Sequence, residues 1–101
     1  MIVYNISMKV DPAIEKEWVQ WQQQEHIPAI MATGQFSDYK FYKLLDEQTD
    51  ESATYIVQYF ALSIENYQCY IRDFAPQLKQ HAFDKWGNLF MAFRSVMEAV
   101  K

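Results

Sequence analysis

Only two glycines occur in this chain, and both stand at the same place in its pattern. Gly34 and Gly87 each close an amphipathic stretch and open an apolar, aromatic-rich one: "ATG" leads into "QF", and "KWG" into "NLF". A residue just past a helix end must often take a positive φ, which glycine adopts without steric cost. Each half of the chain therefore reads as helix, glycine, strand. With both glycines committed to helix ends, none is left for a phosphate-cradling loop or a dinucleotide fingerprint, and the common nucleotide-binding motifs are excluded.

The remaining elements fall between these markers. "MIVYNISMKV" alternates as a strand does, with Ile2, Tyr4, Ile6, Met8 and Val10 on one face. Asp11 and Pro12 read as a helix N-cap followed by proline at the first helical position. Glu15 and Glu17 then suit the positive end of the helix dipole. The first helix runs toward Thr33. Strand two is Phe36 to Leu45, the polar run Asp46 to Ser52 is a hairpin loop, and strand three is Ala53 to Leu62. Ser63 caps a second helix that continues to about Trp86, with Leu62 and Tyr67 placed as a hydrophobic staple. Strand four is Asn88 to Val100. The order β-α-β-β-α-β, joined by right-handed crossovers, predicts an α+β ferredoxin-like sandwich over residues 1–101. It would be one domain with a four-stranded antiparallel sheet and both helices on one face.

Two helices roof only one face of such a sheet. The other face should be polar, yet strands three and four are apolar on both sides. Tyr55, Val57 and Tyr59 oppose Ile56, Phe60 and Leu62; Met91, Phe93 and Met97 oppose Phe90, Ala92 and Val96. That surplus exceeds what a lone soluble chain usually exposes, so a homodimer with its sheets face to face is expected. The formal charge is −4 and the nine Lys and Arg are scattered, which argues against nucleic acid and anionic lipid as partners. Cys69 is alone and reads as a small buried hydrophobe. No run approaches the roughly 18 apolar residues of a membrane span, and the strand-like start lacks the features of a signal peptide. The expected compartment is the cytoplasm.

Chemistry concentrates in "EWVQWQQQEHIPAIMATGQF", residues Glu17 to Phe36. Pro28 lacks an amide hydrogen and crowds the carbonyl of Gln24, and it pushes Ile27 away from helical geometry. The helix should therefore kink near His26. Ile14, Trp18, Trp21 and Glu25 are spaced 4, 3 and 4, so an unbroken helix carries Glu25 on the tryptophan stripe. A carboxylate there needs a donor, such as Arg94 or a tyrosine hydroxyl, or else its pKa rises. Two readings are open. Glu25 and His26 transfer protons in a pocket, or Glu25 is a buried, hydrogen-bonded structural acid and His26 a break-capping or surface residue. Pro76 repeats the device near Phe74 and Ala75, with His81 at the edge of a stripe formed by Tyr67, Ile71, Phe74, Leu78 and Trp86. Two bent helices over one sheet leave a gap between layers, and apolar walls with a few polar groups describe a small-molecule pocket. Glu25, His26 and His81 lack metal-ligand spacing, and neither flavin nor nicotinamide has a signal.

These residues also carry a resemblance. Trp21 to Pro28, read as W-x-x-x-E-H-I-P and followed by Gly34 and Phe36, resembles the first-helix signature of the dimeric α/β-barrel superfamily of ferredoxin-like proteins. Over nearly its whole length the chain resembles an uncharacterised bacterial family, a domain of unknown function seen in Bacteroidetes. The superfamily includes cofactor-free antibiotic-biosynthesis monooxygenases, ether-degradation proteins, lactone isomerases and haem-degrading monooxygenases. The resemblance implies a first-helix histidine role for His26. Haem does not carry over, because strand three has no tryptophan to complete the Asn/Trp/His set that Asn5 and His81 would begin. The expectation is a homodimer that binds or transforms a small organic molecule without cofactor or metal. His26 or Glu25 would transfer protons, and Tyr4, Trp21, Tyr55, His81 and Arg94 would shape the site. The alternative is a non-catalytic dimerisation or regulatory module.

Overall fold

The computed structural model describes residues 1–45 and 51–100. Strand β1 (Ile2–Val10) is followed by helix α1 (Glu15–Trp21), a π-helical turn (Gln22–His26) and helix α2 (Ile27–Met31). Strands β2 (Asp38–Lys43) and β3 (Ala53–Ala61) follow, then helices α3 (Ile64–Asp73) and α4 (Ala75–Trp86), and strand β4 (Phe90–Glu98). The sheet is antiparallel throughout, in the order β2-β3-β1-β4. This is the ferredoxin-like α+β architecture. The loop expected at Asp46 to Ser52 falls mostly outside the described residues.

Strand alternation sets the two faces. On β1 and β3 every second residue, from Ile2 to Val10 and from Ala53 to Ala61, is buried under the helices. Trp18, Ile27, Ile30, Tyr70 and Trp86 come down from the helical layer to meet them. Tyr4 is the hub of one half of this core: its ring lies 5.3–6.4 Å from those of Phe36, Tyr59, Tyr67 and Tyr70. Trp18 organises the other half, against Tyr55, Phe90 and Phe41. The outer face is not polar. Met91, Phe93, Met97 and Tyr42 point there and are all substantially exposed, Phe93 at 63%.

Several expected boundaries move. Asp11 does not cap the helix directly. Its carboxylate accepts from the Ala13 amide at 2.8 Å and forms a preceding turn, and regular helix starts at Glu15. Strands β2 and β4 are shorter than their apolar runs, because apolar residues continue into the connections. Ser63 does cap α3, accepting from the Asn66 amide at 3.3 Å. Leu62, however, is 72% exposed and does not act as a staple. Cys69 is only half-buried, with its thiol 3.5 Å from Asp73 Oδ2.

The two prolines are accommodated differently. At Pro76 the chain breaks: Phe74 leaves helical geometry (φ −122°, ψ −40°) and α4 restarts at Ala75. At Pro28 it does not break. Ile27 stays helical (φ −60°, ψ −46°), contrary to the usual bias of a residue before proline. The turn before it widens instead, and the Ile27 amide donates to the Gln22 carbonyl five residues back.

Both glycines take positive φ, 77° at Gly34 and 57° at Gly87. At Gly87, ψ is −129°, a region only glycine occupies comfortably. Nothing crowds a Cβ placed there, so substitution costs backbone strain alone. Gly87→Ala should lower unfolding free energy by about 1–3 kcal/mol. Urea titration checks this: the midpoint should fall with the slope unchanged.

Candidate functional site

The π-turn decides which side chains face the sheet. An extra residue in the turn delays every later position by one, so the 4-3-4 stripe that began Ile14, Trp18, Trp21 does not end on Glu25. Glu25 is exposed, with Gln23 and Gln24, and its expected discomfort in an apolar stripe does not arise. Gln22, His26, Ile27 and Ile30 turn inward instead. Residues five apart become neighbours, and the imidazole of His26 stacks on the indole of Trp21, with centroids 4.5 Å apart and planes 20° apart.

Beneath this turn a cavity of about 30 Å³ lies between the layers. Its floor is Ile6 and Met8 of β1 with Val57 and Tyr59 of β3; its roof is Gln22 and His26 with Ala82 of α4. At the β4 end it is bounded by Phe90, Ala92 and Arg94. Those three residues and Ala82 also line an open groove of about 190 Å³ between α4 and β4, with Lys79, Phe83 and Asn88. Cavity and groove thus share a wall, and exposed Arg94 stands at the junction. Neither has a carboxylate among its lining residues. The inner cavity alone has room for about one or two waters.

Burial, with smaller electrostatic contributions from nearby Arg94 and His81, holds the His26 imidazole down at about 4. It is neutral at pH 7, a base rather than an acid. Burial pushes Tyr4 upward, opposed by the charge of Arg94 and a hydrogen bond with it. Tyr59 and Tyr70 are likewise raised by burial, so these hydroxyls stay protonated. Lys79 is lowered by burial and by Arg94. The site is therefore electropositive and rich in donors.

The residues singled out from sequence fall into three places. His26, Arg94 and Tyr4 meet at the inner cavity or beside it, and Trp21 holds the ring of His26. Glu25 and His81 line a depression of about 200 Å³ on the outer helical surface, which reaches His26 from the other side. Arg94 is not the partner of Glu25. Tyr55 belongs elsewhere: its hydroxyl donates to Glu15 at 2.6 Å, and Lys43 pairs with the same carboxylate at 3.2 Å. Burial and that carboxylate push Tyr55 up to about 12. This cluster ties the start of α1 to the sheet; Tyr55 does not line the cavity, although it pairs across the sheet with Met8 and is the inward neighbour of Val57, which do. Sequence reasoning missed Gln22, which is only 1% exposed. The available signal was its spacing, four residues after Trp18 and adjacent to Trp21. Among the described residues, no group of three or more His, Cys, Asp or Glu gathers as a metal site, and no helix is long and apolar enough to cross a membrane.

The lowered His26 makes folding depend on pH. The unfolded imidazole titrates near 6.5 and the folded one near 4, so the unfolded chain binds more protons between these values. This contribution is complete above pH 6.5 and is lost as pH falls toward 4. Its slope reaches at most about 1.4 kcal/mol per pH unit. His26→Gln should flatten the acid side of the stability curve in this window, measured by urea titrations at several pH values. A His26 ring signal titrating near 6.5 by NMR would contradict the burial.

Residues 1–100 match the domain of unknown function DUF4286, and the chain belongs to that family. No curated protein sequence matches it. Solved structures share its fold at low identity. A dimeric ferredoxin-like protein from an uncultured marine organism superposes with a TM-score of 0.73 at 9% identity, covering 99% of this chain and 95% of that one. A putative antibiotic biosynthesis monooxygenase from Deinococcus radiodurans gives 0.69 at 13% identity, covering 100% and 94%. A point mutant of SnoaB, a cofactor-independent oxygenase from Streptomyces nogalater, gives 0.68 at 11% identity, covering 99% and 94%.

Proposed function

We propose that this DUF4286 protein is a homodimer, its sheets packed face to face, and that each chain binds a small organic molecule between its helical layer and β4. His26 is the group placed to accept a proton from that molecule, without a cofactor. One observation carries the reading. A partly buried imidazole, His26, neutral at pH 7, roofs an apolar cavity that continues past an arginine into an open groove. Apolar walls with a few convergent polar groups are what small-molecule sites are built from. Binding a ligand requires Arg94 to swing aside at the junction, which its exposure allows. That the structural neighbours include a cofactor-independent oxygenase supports a cofactor-free site in this fold.

The dimer is supported by the outer sheet face, where Met91 and Phe93 are 59% and 63% exposed on an edge strand. A dimeric neighbour with the same fold agrees with it. Sedimentation at micromolar concentration should find a particle of twice the chain's 12.1 kDa. Phe93→Asp should halve it, since one buried, unpaired carboxylate per chain opposes association. A wild-type monomer would remove this part of the reading.

A thermal-shift screen against aromatic acids, quinones and lactones tests the pocket. A ligand present at 100 times its Kd stabilises by about 2.7 kcal/mol. For a chain of this size that is a rise of about 10 °C or more. The rise should disappear in His26→Ala and shrink in Arg94→Ala, while Glu25→Gln leaves it unchanged. A rise that depends on Glu25 and not on His26 would move the site to the outer depression.

A further inference from the structure

Gln22 has no role in the fold that accounts for its state. Its side chain is buried to 1% exposure beneath the π-turn, where an apolar residue would pack as well. The amide nitrogen donates to the thioether of Met8 at 3.6 Å, and the carbonyl oxygen Oε1 has no hydrogen-bond partner among the described residues. A thioether sulfur only accepts, so the nitrogen is the end that faces Met8, leaving the oxygen for whatever enters the cavity. An acceptor buried without a protein donor takes its hydrogen bond from whatever occupies the cavity, water or ligand hydroxyl.

The dimensions define that donor. The inner cavity, about 30 Å³, has room for one hydroxyl-sized group and not for a ring. A flat body has to lie outward, in the groove where Phe83, Phe90 and Ala92 offer apolar contact. At that level Arg94 and Lys79 stand without a carboxylate in the lining. A guanidinium in such a place favours a planar anion.

We infer that the pocket takes a small hydroxylated organic acid, its hydroxyl donating to Gln22 Oε1 in the inner cavity and its carboxylate held by Arg94 and Lys79 at the mouth. This rests on the pocket reading above and adds the ligand's chemical class and the residue that selects it. A site that hydrogen-bonds a hydroxyl discriminates against the analogue lacking it, because the buried acceptor is then left unpaired. Gln22 is thus a specificity-determining residue.

The test uses the full chain and three probes: 4-hydroxybenzoate, 4-methoxybenzoate and benzoate, with affinities measured by NMR titration. The wild type should bind the hydroxy acid at least about tenfold tighter than either of the others, since only it offers a donor. Gln22→Met, which conserves volume, should reduce that ratio to about one and leave benzoate binding in place. Arg94→Gln should weaken all three. Equal binding of the three acids by the wild type overturns the role of Gln22 while leaving the pocket standing, and needs no variant to fold. A hydroxyl preference that survives in Gln22→Met overturns it equally. No binding of any acid, with a neutral molecule from the screen binding through His26, overturns the anionic class alone. Silence from both the acids and the screen overturns the pocket itself.

Discussion

The amide hydrogen that Pro28 does not have sets the geometry of this protein's interior. A helix must either bend at such a position or change its hydrogen-bond register, and here the residues on both sides are fixed. Trp18 and Trp21 are buried before the proline and Ile27 and Ile30 on either side of it. Bending the axis would lift one pair off the sheet. Widening one turn instead keeps both pairs down and moves the preceding carbonyls off the proline ring. The cost is one residue of phase. Two features of the candidate site follow from that residue: Glu25 rotates out, and His26 comes to stack on Trp21; Gln22, four residues after Trp18, faces inward already at ordinary helical spacing.

Much of this fold was legible in the sequence because its signals were local. Strict alternation in β1, the polar cap at Ser63 and glycines after both helices each have a short-range cause, and each appears where its cause operates. The face assignments of β3 and β4 were legible for the same reason. The site was legible only in part. A projection at constant period put Glu25 on the stripe, and no rule about proline says whether a helix answers by kinking or by widening. Tyr55 was drawn into the site because alternation gives a residue's face but not the partner of its polar tip. It is the inward neighbour of cavity-lining Val57, but its hydroxyl is bonded to Glu15. Gln22 was overlooked because a polar residue beside two tryptophans reads as surface.

Pro76 shows that the outcome depends on what surrounds the proline. There the backbone departs from helix at Phe74, and α4 begins afresh with the proline in its first turn, where a missing donor is harmless. The segments after the two prolines then face each other, since Ala29 and Leu78 border the same depression beside His26. The partly buried imidazole of His26 thus lies between an outer depression and an inner cavity. Such an arrangement is what remains when two helices meet at their irregular parts and not along continuous ridges.

The sheet keeps the two proposed roles apart and also couples them. Along β4 successive side chains alternate, so Ala92 and Arg94 face the cavity while Met91, Phe93 and Ser95 face away. β4 is an edge strand, paired only with β1, and an edge strand that is free on one side is the least constrained part of a sheet. Packing a second copy onto Met91 and Phe93 would restrain the same backbone that carries Arg94. Because side chains on one strand share that backbone, association on one face limits how far the guanidinium can swing on the other. The far charges of an acidic protein matter little to such a site: beyond about 8 Å salt screens them, and an anion at the groove mouth meets chiefly Arg94 and Lys79. The proposed recognition is therefore a local matter of three positions: Gln22 on the regular helical stripe, His26 brought in by the widened turn, and Arg94 on a strand that dimerisation would hold still.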